Sequence, residues 1–290
     1  MGDSTPNPRT DRLSSMDKNI IKREIVPLLS SGKSGPSPKV PIESIVAAIL
    51  YRLKTGCQWR ELPMRMFFRK RYSYQSVYHH FRKWCNDGSW QNLWINLLAK
   101  YRHRLNLSSV QLDGSHTIVK RGGVAVGYQR RKKAQTTNML YLVDDSGTLI
   151  SCSEAVSGEH HDLWNISEVF EQLCAVLQKA NIAVDGLFLN ADAAFDCKQL
   201  RQCCEKKQII ANIPQNPRSS QQKDRDHYFD ELLYRRRIVA EHAFAWMDSC
   251  KALLIRFETK AHTWLAMKIL GMVRFFLKHI TRKKAPDVEH

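Results

Sequence analysis

The feature that most narrows the fold is a change of hydrophobic period near Leu105. Before it, apolar residues recur three and four positions apart, the spacing of a helix face. After it they come in short runs broken by turn residues, the spacing of strands. One kind of secondary structure cannot satisfy both patterns, so the chain predicts a helical region followed by one containing a sheet. At 290 residues it is long enough for a domain of ordinary size plus a smaller one, each with a buried core.

In the first region the spacing predicts a helix over Pro41 to Lys54, with Ile45, Val46, Ile49, Leu50 and Leu53 on one face and Pro41 in its first turn. A second helix over Ser73 to Cys85 places Tyr74, Val77, Tyr78 and Phe81 at helical spacing behind a capping Ser73. A third follows the Asp87-Gly88 turn, where Trp90, Leu93, Trp94, Leu97, Leu98 and Tyr101 form a stripe read as core. Arg65, Arg69, Lys70 and Arg71 precede the second helix, which itself carries Gln75, His79, His80, Arg82 and Lys83. This pattern fits a helix-turn-helix that lays its second helix in a major groove, and equally a bundle whose exposed faces are basic.

Beyond Leu105 strands are expected at Val110 to Leu112, Thr117 to Val119, Asn138 to Val143 and Thr148 to Val156, with Asp144 to Gly147 turning between the last two. A long amphipathic helix over Asp162 to Ala180 comes next, then a strand at Gly186 to Asn190, a helix near Cys197 to Lys207 and a strand at Ile209 to Ile213. After a polar loop, Gln215 to His227, two further helices are expected, from Asp230 to about Lys251 and from His262 to His279. Strands in a meander and then alternating with helices indicate a mixed sheet with helices on its faces, an α/β fold. The expected division is an unstructured extension over 1–15, a helical domain over 16–105, an α/β domain over 106–281 and a basic, polar tail over 282–290.

Lys and Arg number 45 against 28 acidic residues, a net charge of +17, so a polyanion is the natural partner. No run approaches the ~18 apolar residues of a spanning helix, and no secretory signal is apparent. The eight cysteines are scattered without zinc-finger spacing and read as reduced thiols of a cytosolic protein.

Three carboxylates stand out, each with an ordinary alternative. Asp113 is followed by Gly114 between apolar runs, a hairpin-turn signal. Asp192 ends a strand where a helix cap would sit. Glu241 lies four residues after Arg237, the spacing of a surface ion pair. Together, a strand-borne Asp, a strand-end Asp and a helix-borne Glu can converge on one edge of a sheet. Their hard oxygens suit Mg²⁺ or Mn²⁺, and two such ions roughly 4 Å apart support in-line displacement at phosphorus.

The segments QLDGSHTIVKR, LNADAAFD and YRRRIVAEHAFAWMDSCKALLIRFE carry a resemblance that covers the chain from about Met16 onward. The chain resembles the DDE transposases of bacterial insertion sequences, in the insertion-sequence-five-like group with a ribonuclease H-like catalytic domain. Tyr234, Arg237 and Glu241 match a signature in which Tyr, Arg and Glu share one helix face. The resemblance implies that Asp113, Asp192 and Glu241 bind two Mg²⁺ or Mn²⁺ ions, while Tyr234 and Arg237 position DNA or support the carboxylates. It further implies double-stranded DNA as partner (transposon ends and target), a homodimer or larger synaptic assembly, and a cytoplasmic, nucleoid-associated bacterial setting with no membrane.

The chain departs from the signature at Asp248, where the family has Lys and the nearest later one here is Lys251, and at Ala193-Ala194, where relatives commonly carry a basic residue and Gly. Arg130, Arg131, Lys132 and Lys133 in the Gly-containing loop after the first strand are expected to hold backbone phosphates, and Lys251 is a further candidate DNA contact. Trp246 reads as an inward-facing core residue, and His160-His161-Asp162 as a helix start capped by Asp162. The expected activity is cleavage of terminal inverted repeats and joining of the 3′ hydroxyls to target DNA. The alternatives are a metal-dependent nuclease that does not join strands and a transposase-derived DNA-binding regulator.

Overall fold

The Asp113-Gly114 pair does not turn the chain. It lies inside one unbroken strand, β1 (Val110–Val119). A two-residue hairpin needs positive φ at its central positions, and neither residue has it. The partner strand β3 (Ala134–Asp144) instead pairs antiparallel along β1, from Val110 opposite Asp144 to Ile118 opposite Thr136. Gly114 has a different purpose: a Cβ there would lie 2.6 Å from a carboxylate oxygen of Asp162. Glycine lets that side chain lie against the strand.

The computed structural model describes residues 16–31, 40–216 and 228–282. They fall into two compact units, one comprising 16–31, 40–97, 249–254 and 266–282, the other 98–216, 228–248 and 255–265. The first unit is helical. α1 (Ile42–Thr55) buries the five expected aliphatic residues completely and ends at Gly56 in the left-handed conformation. Each such side chain contributes about 2 kcal/mol relative to exposure. α2 (Tyr74–Asn86) starts behind Ser73, whose hydroxyl accepts the Ser76 N–H at 3.2 Å. α3 (Ser89–Tyr101) buries Trp90, Leu93, Trp94, Leu97 and Leu98, confirming the stripe as core. Trp84 and Trp90 meet edge-on at 5.3 Å.

In the second unit the described residues form an eight-stranded mixed sheet of order β2-β3-β1-β6-β7, with β4 and β5 on β3 and β8 on β1. β2 (Gly127–Gln129), β4 (Leu149–Cys152) and β5 (Val156–Ser157) run antiparallel to β3. β6 (Phe188–Asn190) runs parallel to β1, and β7 (Ile210–Asn212) parallel to β6. β8 (Ile255–Arg256) joins β1 at Ile118 and Val119, so the edge of β1 from Leu112 to Thr117 lies between its two parallel partners. The fold class is thus the expected mixed α/β sheet with helices on it and a helical region before it.

α4 (Ile166–Lys179) packs its Val169, Phe170, Leu173 and Leu177 stripe inward, and the Ser151 hydroxyl donates to its Leu173 carbonyl at 3.0 Å. It begins four residues later than expected. Asp162 is not its cap, because Asn138 Nδ2 donates to Asp162 Oδ1 at 2.6 Å and Asn165 precedes the helix instead.

The helix expected from Asp230 is also modified. A turn, Glu231–Tyr234, tightens to 3₁₀ geometry over Arg235–Arg237 before α6 (Ile238–Asp248), and a separate turn covers Lys251–Leu254. α5 (Lys198–Lys206) and α7 (Ala261–Arg282) lie close to their expected positions. The polar loop falls almost wholly outside the described residues, as do residues 1–15 and 283–290. Among the described residues no helix is long and apolar enough to cross a membrane, and all eight cysteines are free thiols.

Candidate active site

β1 delivers Asp113 to the sheet beside the end of β6, where Asp192 follows. Asp113 Oδ1 accepts the Gly114 N–H at 2.8 Å, and Asp192 Oδ1 accepts the Ala194 N–H at 2.9 Å, capping the short turn Ala193–Phe195. Each aspartate therefore has one oxygen held by main chain, which fixes the carboxylate's orientation. The capping reading of Asp192 is correct, and it is compatible with a second task for the same carboxylate.

Burial raises the Asp113 carboxyl above its ordinary range. The Gly114 N–H and Arg237 oppose this, and the negative charges of Asp192 and Asp162 add to it. The charge of Asp192 thus reaches Asp113, and with Asp162 it makes the surroundings of Asp113 negative. Arg237 balances part of it, with Nη2 3.5 Å from Asp113 Oδ2. The same guanidinium donates to Tyr234 Oη at 3.3 Å and lies 5.5 Å from that ring's centre. Its Nε is buried without a hydrogen-bond partner. The structure thus gathers Asp113, Asp192, Arg237 and Tyr234.

Glu241 is not gathered with them. It is exposed on α6, and among the described residues no three His, Cys, Asp or Glu side chains are grouped closely enough to hold a metal ion. The ion pair that its spacing from Arg237 suggested is absent among the described salt bridges, because Arg237 turns to Asp113 instead.

Asp162 is the residue that sequence reasoning placed wrongly. It lies over Gly114, accepts from Asn138, and stands 3.9 Å from His116 Nε2. The signal is the glycine after Asp113, which reads as a turn in the sequence and instead makes room for the Asp162 carboxylate. Burial lowers the His116 imidazole below its ordinary value; Asp162 opposes this, and Lys132 and Arg131 reinforce it. Lys132 Nζ donates to the His116 carbonyl at 2.7 Å. Part of the basic loop is a hairpin of β2 and β3, with Arg130, Arg131, Lys132 and Lys133 exposed at its turn. Trp246 is 48% exposed, which overturns its reading as core: α6 buries Ala240, Ala243 and Met247 instead. Lys251 is exposed at the start of its turn and belongs to the first unit.

A family model described as "DDE superfamily endonuclease" matches residues 112–272, more than half of the chain. The chain belongs to this superfamily. Every candidate residue lies within the matched span. A second model, described as "Putative transposase of IS4/5 family", matches residues 23–94. No curated protein matches the chain in sequence. Among solved structures the chain is similar to a piggyBac transposase synaptic complex with hairpin DNA, at 11% identity and TM-score 0.47, covering 97% of this chain and 77% of that one. It is also similar to the Mos1 transposase paired-end complex with left transposon end (12% identity, TM-score 0.28, 86% and 82% covered) and to the Mos1 mariner paired end complex with Mn (12%, 0.29, 96% and 89%).

Proposed function

We propose that the chain is a transposase that binds transposon ends, cleaves the DNA there and joins the freed 3′ hydroxyls to target DNA, with Asp113, Asp192 and Glu241 as its catalytic carboxylates and the sheet as a ribonuclease H-like scaffold. The carrying observation is that Asp113, inside β1, feels the charge of Asp192, which follows the end of the adjacent parallel strand β6, with Arg237 of the Tyr-Arg-Glu segment already on Asp113. Superfamily membership supplies the endonuclease half of this reading.

The donor set fits hard divalent cations, Mg²⁺ or Mn²⁺: all three candidates are carboxylates, and the charge of Asp192 adds to the burial that raises Asp113. When bound, a pair of such ions activates the attacking oxygen and stabilises the leaving one. The protein's own part is to hold Asp113 and Asp192 in orientation through the Gly114 and Ala194 N–H groups, and to bring Glu241 to them by movement of α6. Arg237 is the resident counter-charge until then. In cleavage a water oxygen bonds to phosphorus as the bond to the 3′ oxygen breaks, leaving a 3′ hydroxyl and a 5′ phosphate. In joining, that hydroxyl displaces a 3′ oxygen of the target strand.

The net charge of +17, the exposed Arg130–Lys133 turn and exposed Trp246 support a DNA partner. In this reading Tyr234, Arg237 and Lys251 also face DNA, residues 16–105 form the end-binding domain, and the active species is a dimer or larger synapse acting in the bacterial cytoplasm.

The test is a plasmid carrying the element's ends, incubated with protein and Mg²⁺ or Mn²⁺. Excised and joined products should appear with the parent and vanish with Asp192→Ala. Joining by Asp192→Ala at the parental rate would refute the assignment. Cleaved ends without joined product would identify a nuclease, and tight end binding without cleavage a regulator.

A further inference from the structure

Two residues before Asp113 stands Gln111, which strand alternation places on the same face of β1, and two before Asp192 stands Asn190, the last residue of β6. Gln111 pairs in register with Asn190, and Asn190 with Asn212 of β7. All three amides are fully buried, in positions where a parallel sheet ordinarily carries aliphatic residues. Buried amides are costly unless satisfied, so their partners reveal their use.

They form a continuous ladder. Asn212 Nδ2 donates to Asn190 Oδ1 at 2.7 Å, and Asn190 Nδ2 to Gln111 Oε1 at 2.9 Å. Gln111 Nε2 donates to Ser109 Oγ at 2.9 Å, and Ser109 Oγ to Asp145 Oδ1 at 3.0 Å. Apart from Asn106 and Ser108, which donate to Asp145 Oδ2 at 3.3 and 3.2 Å, the remaining partners of the ladder lie in one segment. Asn212 accepts the Asp230 N–H at 2.7 Å and donates to the Asp230 carbonyl at 2.9 Å. Asn190 donates to the Leu233 carbonyl at 3.0 Å. Asp145 takes the Arg236 guanidinium, Nε to Oδ1 at 2.9 Å and Nη2 to Oδ2.

We infer that Gln111, Asn190, Asn212 and Asp145 are positioning residues that clamp residues 230–236 at three points, setting the register of the Tyr234-Arg237-Glu241 segment against the two strands that carry Asp113 and Asp192. The inference deepens the transposase reading and rests on it for the word register. The clamp itself is a statement about local stability. It places the grip before Arg237, so that α6, with Glu241, departs from a fixed start. Two of the three points are main-chain groups, so the Leu233 side chain takes no part in it, while the Asp230 carboxylate caps the same turn by accepting the Leu233 N–H at 3.0 Å.

The experiment is hydrogen–deuterium exchange on the full, metal-free chain, read by peptide, for the parent, Asn212→Leu and Arg236→Gln, with end-DNA affinity and cleavage measured alongside. Arg236 is half-exposed, so its removal leaves no cavity and tests the clamp even if Asn212→Leu fails to fold. Each variant should speed exchange across 231–241 about tenfold, leave β3 and α1 protected as in the parent, and lower kcat for cleavage while end-DNA affinity is unchanged. Arg236→Lys should recover part of the protection. Unchanged exchange at 231–241 in Arg236→Gln, or loss of protection spread equally over β3, overturns the clamp. A parent chain without metal-dependent cleavage would refute the transposase reading and leave the exchange result to judge the clamp alone.

Discussion

Asp113 carries opposed influences that a single substitution can separate. Burial and its acidic neighbours outweigh Arg237 and the Gly114 N–H, so the folded protein holds the Asp113 proton more tightly than the unfolded chain does. As pH rises from the unfolded value through the raised folded value, the fold loses stability, and above the folded value the penalty stays constant. Asp113→Asn cannot ionise and escapes it. The metal-free variant should therefore melt above the parent at neutral pH, with the gap closing below about pH 4, where both carboxyls are protonated. A gap independent of pH in thermal melts would contradict this. Glu241→Gln should behave differently. The residue is exposed, so stability should change by less than about 0.5 kcal/mol, while cleavage in the plasmid assay falls by about a hundredfold or more.

At the scale of elements, legibility followed the type of signal. Amphipathic periodicity located α1, α2, α3 and α4 within a few residues, because a stripe such as Ile45, Ile49 and Leu53 has one burial solution. Leu173→Ala, at the inward centre of α4, should accordingly cost about 2–5 kcal/mol in a denaturant melt. Asp113-Gly114 misled because the hairpin signal is a statement about backbone freedom, and the freedom was used for the close approach of Asp162. The 3₁₀ turn at Arg235–Arg237 was invisible for a related reason: the Leu233 carbonyl is taken by an asparagine 43 residues away in sequence. Of the candidate site, the sequence put forward Asp113, Asp192 and Glu241 together and, through the resemblance, Tyr234 and Arg237; the structure sets Arg237 against Asp113 and Tyr234. The position of Glu241 relative to them depends on how α6 is held, which no local pattern records.

For the molecule as a whole, charge was the most direct guide to a partner. If exposed Arg130 and Lys133 each neutralise a phosphate, the slope of log affinity against log salt for end DNA should shrink by about one on replacing either with Ala. Unaltered slopes in filter binding would remove the turn from the interface. The grouping of segments into units, by contrast, was not legible. The periodicity of α7 shows that it buries one face but not against what, and residues 266–282 prove to cluster with the described residues up to 97, where Phe276 meets Trp94 edge-on at 5.4 Å. That grouping sets an order of manufacture. On the ribosome, the sheet-bearing unit has nearly all its strands available long before α7 emerges, whereas the helical unit waits for α7 to leave the exit tunnel. A nascent chain stalled before residue 266 should thus carry its sheet while the helical unit is still unfinished, so that the emergence of α7 itself licenses the helical part of the fold.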